Sequence, residues 1–174
     1  MLIALTGTPG TGKTSVAKIL KKKYRVVEIS EIVKKDPSLI LYRDEKRNSL
    51  VVDIDKLREK MSSYDGIVVG HLSHHLPADL VIVLRTHPEI LRKRLSTKNY
   101  SEEKIRENIE AEAISLITSE CMEMHTGRTY EVDTTEKTPE EVAEIVMKII
   151  EDKEFRKNYI AGKIDYTEVV LNWY

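Results

Sequence analysis

The sequence predicts an α/β fold: a P-loop NTPase with a five-stranded parallel sheet and helices on both faces. Three observations carry this. The octapeptide Gly7-Thr8-Pro9-Gly10-Thr11-Gly12-Lys13-Thr14 fits G-x-x-x-x-G-K-[ST], the P-loop pattern, and joins an apolar run to an amphipathic stretch. Short apolar runs then alternate with segments of helical period. The connections between those runs are long, as crossovers between parallel strands must be.

Taken in order, Leu2-Ile3-Ala4-Leu5 is a buried strand leading into the loop, and Val16, Ile19 and Leu20 mark the apolar face of the helix after it. Arg25–Ile29 reads as a second strand, Ser30 as a cap, and Glu31–Lys35 as a helix that Asp36-Pro37-Ser38 breaks. Residues 39–50 are mixed, and Tyr42–Arg47 is too polar for core; this is either a solvated loop or an acceptor-binding insert. A helix carrying Leu57 and Met61 comes next, with Asp53 or Asp55 near its start. Ile67-Val68-Val69 and Leu80–Leu84 are buried strands. Pro88 opens a helix ending near Leu95. Ser101 opens the longest helix, whose stripe Ile105, Ile109, Ala113, Leu116 and Ile117 runs towards Met124. Arg128–Asp133 is the fifth strand, and Pro139 begins a helix with Val142, Ile145, Val146 and Ile149 inward. The tail is either a helix packed on the domain or a docking arm for a protein or RNA. In it Asp165 and Glu168 resemble a capping box, and Trp173 and Tyr174 cluster.

Composition sets bounds. At 174 residues the chain suits one domain. Charged residues make up 33%, apolar ones 41%, and the net charge of −1 gives no support for general nucleic-acid binding. Cys121 is the one cysteine, so no internal disulfide forms, and a reducing, cytoplasmic setting is expected. It reads as a small buried residue. The N-terminus enters a strand at once, which leaves no room for a signal peptide, and no apolar run is long enough to span a membrane.

The P-loop residues suit a triphosphate. Gly10 and Gly12 let the backbone turn N–H groups inward, and the helix start adds donors and a positive dipole end. Lys13 brings a mobile cation, and the Thr14 hydroxyl can ligate Mg²⁺, with Ser15 behind it. Ligands of such sheets bind beyond the carboxyl ends of the strands, which puts the segments after Val69 and Leu84 on the P-loop's rim. Arg85, Arg94 and Lys98 could surround phosphates there, Arg94 and Lys98 on one side of a helix. Asp44, Glu45, Asp53 and Asp55 could hold an acceptor, although Asp53 and Asp55 could equally stabilise a helix start. Arg92 and Arg106 read as solvated surface charges. His74 and His75 invite a metal reading, but no neighbouring cysteine or carboxylate in the sequence completes a site, so a surface loop is expected.

These residues resemble a known family. Leu5–Thr14, Tyr42-Arg43-Asp44-Glu45, Asp53-Ile54-Asp55, His71, Val83-Leu84-Arg85-Thr86 and above all Arg94–Ile109 are similar to the adenylate kinase isoenzyme 6 type, across roughly residues 1 to 150. The resemblance implies a nucleoside monophosphate kinase domain over 1–152, with an acceptor-binding insert about 30–50 and a short lid about 96–106, followed by a tail at 153–174. It implies transfer from ATP to AMP or a similar monophosphate, with Mg²⁺, a slow ATPase activity and association with a small-subunit ribosomal protein during late rRNA processing. Lys13, His71, Arg94 and Lys98 then take catalytic positions. Gly10, Gly12, Thr14 and Ser15 join Lys13 and Lys98 around ATP, while Lys34, Asp44, Glu45 and Asp53 face the acceptor. The sequence departs from the family at three places. Lys98-Asn99 and Lys34 stand where arginine-bearing segments are expected, and lysine lacks the planar two-pronged grip on phosphate. The strand ending Val68-Val69-Gly70 lacks the acidic residue that many P-loop enzymes use toward Mg²⁺. The competing reading is a ribosome-assembly ATPase in which the kinase reaction is secondary. A GTPase is disfavoured, since no Asn-Lys-x-Asp element is found; a kinase of another small metabolite is the outsider.

Overall fold

Alternation explains the sheet. In β1 (Leu2–Thr6) every residue is buried: Ile3 and Leu5 join one core, Leu2 and Ala4 the opposite one. A strand buried on both faces needs helices on both sides, which only crossover connections supply. The computed structural model describes residues 1–173, so Tyr174 lies outside the described residues. The central sheet has the expected five parallel strands. They are β1, β2 (Val26–Glu28), β5 (Gly66–Val69), β6 (Leu80–Arg85) and β7 (Thr129–Asp133), in the order β2-β5-β1-β6-β7.

On one face α1 (Lys13–Leu20) and α7 (Pro139–Glu151) bury Val16, Leu20, Val142, Val146 and Ile149. Thr138 starts α7 with a complete capping box to Glu141, as its sequence favours. On the other face α2 (Ile29–Lys35) and α3 (Ile54–Met61) bury Ile32, Val33, Leu57 and Met61, with Cys121 among them. Burial pushes the Cys121 thiol up to about 12, which fits a packing residue. Beyond the sheet, α4 (Pro88–Ser96) and α5 (Glu102–Ala113) share a smaller cluster of Leu91, Leu95, Ile105 and Ile109.

Four expectations change. The second strand stops at Glu28, and α2 begins at Ile29 rather than after a Ser30 cap. The mixed stretch at 39–50 is an antiparallel hairpin, β3 (Ile40–Asp44) and β4 (Ser49–Val52), turned by Asn48 at φ 49°. The longest helix is two: Ser115 takes a left-handed φ of 57°, and α6 (Leu116–Met124) starts anew. Leu116 is exposed, off the buried stripe. The break has a physical purpose, because Arg85 donates both to the Glu112 carbonyl at the end of α5, which the Ser115 N–H also reaches, and to the Ser115 hydroxyl. In the tail Asp165 accepts from Thr167, and α9 (Thr167–Leu171) has no side-chain cap, so the Asp165–Glu168 capping box does not form.

The tail packs on the domain. After α8 (Lys153–Arg156), Ile160 bridges to Tyr130, Ala161 N–H donates to the Thr129 carbonyl, and the N–H groups of Gly162 and Ile164 donate to Glu131 Oε2. Tyr166 is buried, its ring 5.2 Å from the Arg85 guanidinium carbon and edge-on to His87. Among the described residues no helix is long and apolar enough to cross a membrane.

Candidate active site

The loop between β1 and α1 is set by two glycines. Gly12 holds φ 94° at the N-cap of α1, a left-handed position that favours glycine. A Cβ on Gly10 would stand 2.9 Å or less from Leu91 and Leu95, so its absence lets α4 pack directly on the loop. Lys13 Nζ donates to the carbonyls of Gly7 at 2.7 Å and Thr8 at 3.0 Å, which holds the ammonium over the loop. Burial first, and then the charge of Lys98, push Lys13 down to about 7, against the opposing pull of Glu112 and Glu28. Lys98 sits in the short turn between α4 and α5, close enough for its charge to bear on Lys13.

Thr14 Oγ1 donates to Glu28 Oε1 at 2.8 Å. Glu28 is opposite Val69 in the β2–β5 register, beside the place where the sequence lacks an acidic residue. Its neighbours in sequence, Val27 and Ile29, gave no hint; only the strand order brings it to the P-loop. The hydroxyl and carboxylate together are hard oxygen donors of the kind Mg²⁺ takes, so the residues present fit that ion.

His71 follows β5 at the rim. Desolvation by its surroundings, then the cations Lys13 and Lys104, lower its pKa, so the ring is neutral at pH 7. Lys104, on the first turns of α5, carries no motif that marks it in the sequence.

Arg94 turns inward from α4. It donates to the hydroxyls of Thr86 and Thr134 at 3.2 Å and to the Thr134 carbonyl, with a longer contact of 3.5 Å to the Gly10 carbonyl. It lines a cavity of about 300 Å³ with Thr11, Gly12, Ser15, Thr134 and Lys137. This groove runs from the start of α1 to the start of α7. Thr134 and Lys137 carry no motif and become visible only here.

The acceptor-side residues are more scattered. Lys34 is exposed in the last turn of α2 and makes no hydrogen bond or ion pair among the described residues. Asp44 accepts from the Arg47 N–H and holds the hairpin turn, and Glu45 is exposed beside it. Asp53 caps α3 by accepting from the Lys56 N–H, and Asp55 pairs with Arg58, which gives both the helix-start role. The hairpin tip reaches α5: Arg47 pairs with Glu107 at 3.3 Å and Lys46 with Glu103 at 4.0 Å. Arg92 pairs with Glu102 at the surface, as a solvated charge would.

Two further expectations are corrected. Arg85 does not face phosphates. It is buried, and all five N–H donors are used, on Glu112, Glu131, Thr118, Ser115 and the Glu112 carbonyl. Glu112 in turn accepts from the Thr86 N–H and, more weakly, from the Thr8 hydroxyl of the P-loop. His74 is not on a surface loop: it is 1% exposed, and a carboxylate does stand beside it, Glu120 Oε2 at 2.8 Å from Nε2.

With this geometry in place, residues 3–115 match the family described as AAA domain. A protein of Archaeoglobus fulgidus with the name "Putative adenylate kinase" is 48% identical over 168 residues, covering 95% of this chain and 92% of that protein. One of the same name from Methanosarcina barkeri is 40% identical, covering 98% of this chain and 100% of that protein. Among solved structures, thymidylate kinase from Candida albicans is similar with a TM-score of 0.60 at 15% identity, over 89% of this chain and 92% of that one; at that identity it speaks to the fold alone.

Proposed function

The chain belongs to the AAA-domain family of P-loop proteins, and from that premise we propose that it is an ATP-dependent nucleoside monophosphate kinase, converting ATP and AMP to two ADP, with an accompanying ATPase activity. The observation that carries the reading is a convergence on one rim. Lys98 bears on Lys13, and Lys13 and Lys104 bear on His71, at the rim beside the P-loop. The helix that bears Lys104 is also the one the hairpin tip grips through Arg47 and Lys46. On this reading the donor loop and the hairpin, as acceptor insert, are linked through one helix. The names of the two archaeal relatives support the same reading.

The roles follow from charge. Phosphoryl transfer needs alignment, neutralisation of charge and exclusion of water. Lys13 and the inward N–H groups hold the phosphates, and Lys98 meets the charge that grows in the transition state. Arg94, Ser15 and Gly12 border the groove that takes the nucleoside end of ATP. Thr14 and Glu28 would hold Mg²⁺, which neutralises phosphate charge when bound. Lys34, Asp44 and Glu45 lie on the acceptor side; Asp53 serves it only by fixing the start of α3 beneath the hairpin. His71, as a neutral ring, can orient a nucleophile.

A second reading has one observation of its own. The link between α4 and α5 spans only Thr97–Ser101, so the lid excludes water poorly, which favours ATP hydrolysis. Under it the protein is an assembly ATPase acting on a small-subunit ribosomal protein in rRNA maturation, a partner that rests on the sequence resemblance.

The test is to incubate the protein with ATP and Mg²⁺, with each monophosphate in turn and with none, and to quantify ADP and free phosphate. ADP formed with AMP and without free phosphate is expected. Free phosphate that no acceptor suppresses would overturn the kinase in favour of the ATPase.

A further inference from the structure

We infer that His74, His75 and Glu120 form a binding site for a divalent transition-metal ion of the Zn²⁺ class, apart from the nucleotide site. One imidazole nitrogen from each histidine and a Glu120 carboxylate oxygen all lie within 4.8 Å of one another. Two imidazoles and one carboxylate are a donor set that suits Zn²⁺ and its neighbours and does not suit Mg²⁺, which takes oxygen ligands and keeps its waters.

The backbone that presents the two rings is pinned from several sides. Ser73–His75 form a single 3-10 turn. Ser73 Oγ donates to the carbonyls of Leu5 and Gly70, Arg58 Nε donates to the His75 carbonyl at 2.6 Å, and His125 Nε2 lies 2.6 Å from the His74 carbonyl. The turn therefore fixes the backbone that carries both rings before an ion arrives.

The outer contacts are also those a metal-bound histidine needs. His74 Nδ1 lies 2.9 Å from the Thr6 hydroxyl, which can fix the tautomer and leave Nε2 free to ligate. That nitrogen faces Glu120.

His75 is the unexplained member. Its ring is stacked against His74 with centroids 4.4 Å apart, and among the described residues it makes no side-chain hydrogen bond. A core histidine satisfied by Thr6 and Glu120 accounts for His74 alone. An ion accounts for both rings and the carboxylate. Tetrahedral Zn²⁺ with bonds near 2.0–2.1 Å needs ligand atoms roughly 3–3.5 Å apart. His75 and Glu120 are partly exposed, so their side chains have room to turn toward that spacing, with the fourth position left to water.

Such an ion would tie α6 to the turn after β5 and, through Thr6, to the strand end that opens the P-loop. Its effect is on stability, so the test needs no activity. The full chain, free of nucleotide and Mg²⁺, is titrated with Zn²⁺ by calorimetry and its thermal unfolding is followed in parallel. The same is done for His75→Ala and Glu120→Gln, both at partly exposed positions where folding is expected to survive. One ion per chain is expected, with a rise in Tm of about 5–10 °C at a hundredfold excess over Kd. Each variant should weaken binding at least tenfold and lose most of the rise. Less than one ion per chain with no rise in the parent protein, or undiminished binding in both variants, would overturn the assignment.

Discussion

Two positive centres stand at the carboxyl end of one sheet and are built to opposite plans. Around Arg85, at the end of β6, every donor has a protein acceptor, two of them buried carboxylates. Around Lys13, after β1, the ammonium donates to backbone carbonyls and, among the described residues, forms no ion pair: Lys98 adds positive charge that Glu112 and Glu28 offset from a distance, and Lys104 acts on His71. A buried charge that is fully paired holds structure together. A cluster of like charge kept together by the fold is arranged for an anion that the protein does not itself supply.

The contrast can be broken from either side. Arg85→Ala should have the largest effect, a loss of about 3–5 kcal/mol in stability, because Glu112 and Glu131 are left buried without their partner. Denaturant unfolding measures it, and a loss below about 1 kcal/mol would show that the network is not structural. Turnover per folded molecule should change much less than stability. Lys13→Ala should do the reverse: transfer and hydrolysis both fall by roughly 10²–10³-fold or more, with the unfolding midpoint little changed. Normal activity in either assay would remove the P-loop lysine from the chemistry. Lys98→Ala should raise the barrier by roughly 1–3 kcal/mol, chiefly in kcat, with ATP affinity nearly kept. An unchanged kcat would return Lys98 to the solvent.

The smallest effect is with pH. Lys13 has a pKa of about 7 in the free protein, and bound phosphate favours its protonated form, so its pKa is raised in the complex. ATP affinity from this group is therefore full below pH 7 and weakens as pH rises through 7 towards the higher pKa of the complex, by at most about tenfold per unit. Calorimetry in buffers of different ionisation enthalpy should detect proton uptake on binding at pH 8. No uptake there would mean that Lys13 is already charged and less crowded than the geometry implies.

How much of this was legible in the sequence differs between the same two centres. Leu2–Leu5, Ile67–Val69 and Leu80–Leu84 are apolar enough to read as strands directly, and the P-loop pattern orders the first strand, the loop and the first helix around Lys13. Arg85 could not be told from a phosphate-binding cation, because its partners lie 27 and 46 positions away, Glu131 on the neighbouring strand β7 and Glu112 in the last turn of α5 just before the break at Ser115. That break carries no glycine or proline. Glu28 was hidden for a similar reason, since strand order and not spacing sets it beside Thr14. The hairpin of Ile40–Val52 has no apolar–polar alternation to mark it, since Leu41, Tyr42 and Leu50 are exposed, and a bulge between Ile40 and Tyr42 shifts its period. Glu120, 46 positions from His74, could not be seen as its neighbour at all.

The contact of the tail with Glu131 has a consequence for order of synthesis. Arg85, Glu112 and Glu131 emerge first, and Gly162 and Ile164, which donate to the free oxygen of Glu131, emerge some thirty residues later. Tyr166 then closes over the guanidinium. A nascent chain thus carries a half-finished ion cluster while its P-loop can already form. The step that completes the cluster is docking of the tail, which makes the finished fold contingent on the last part of this stretch to be made.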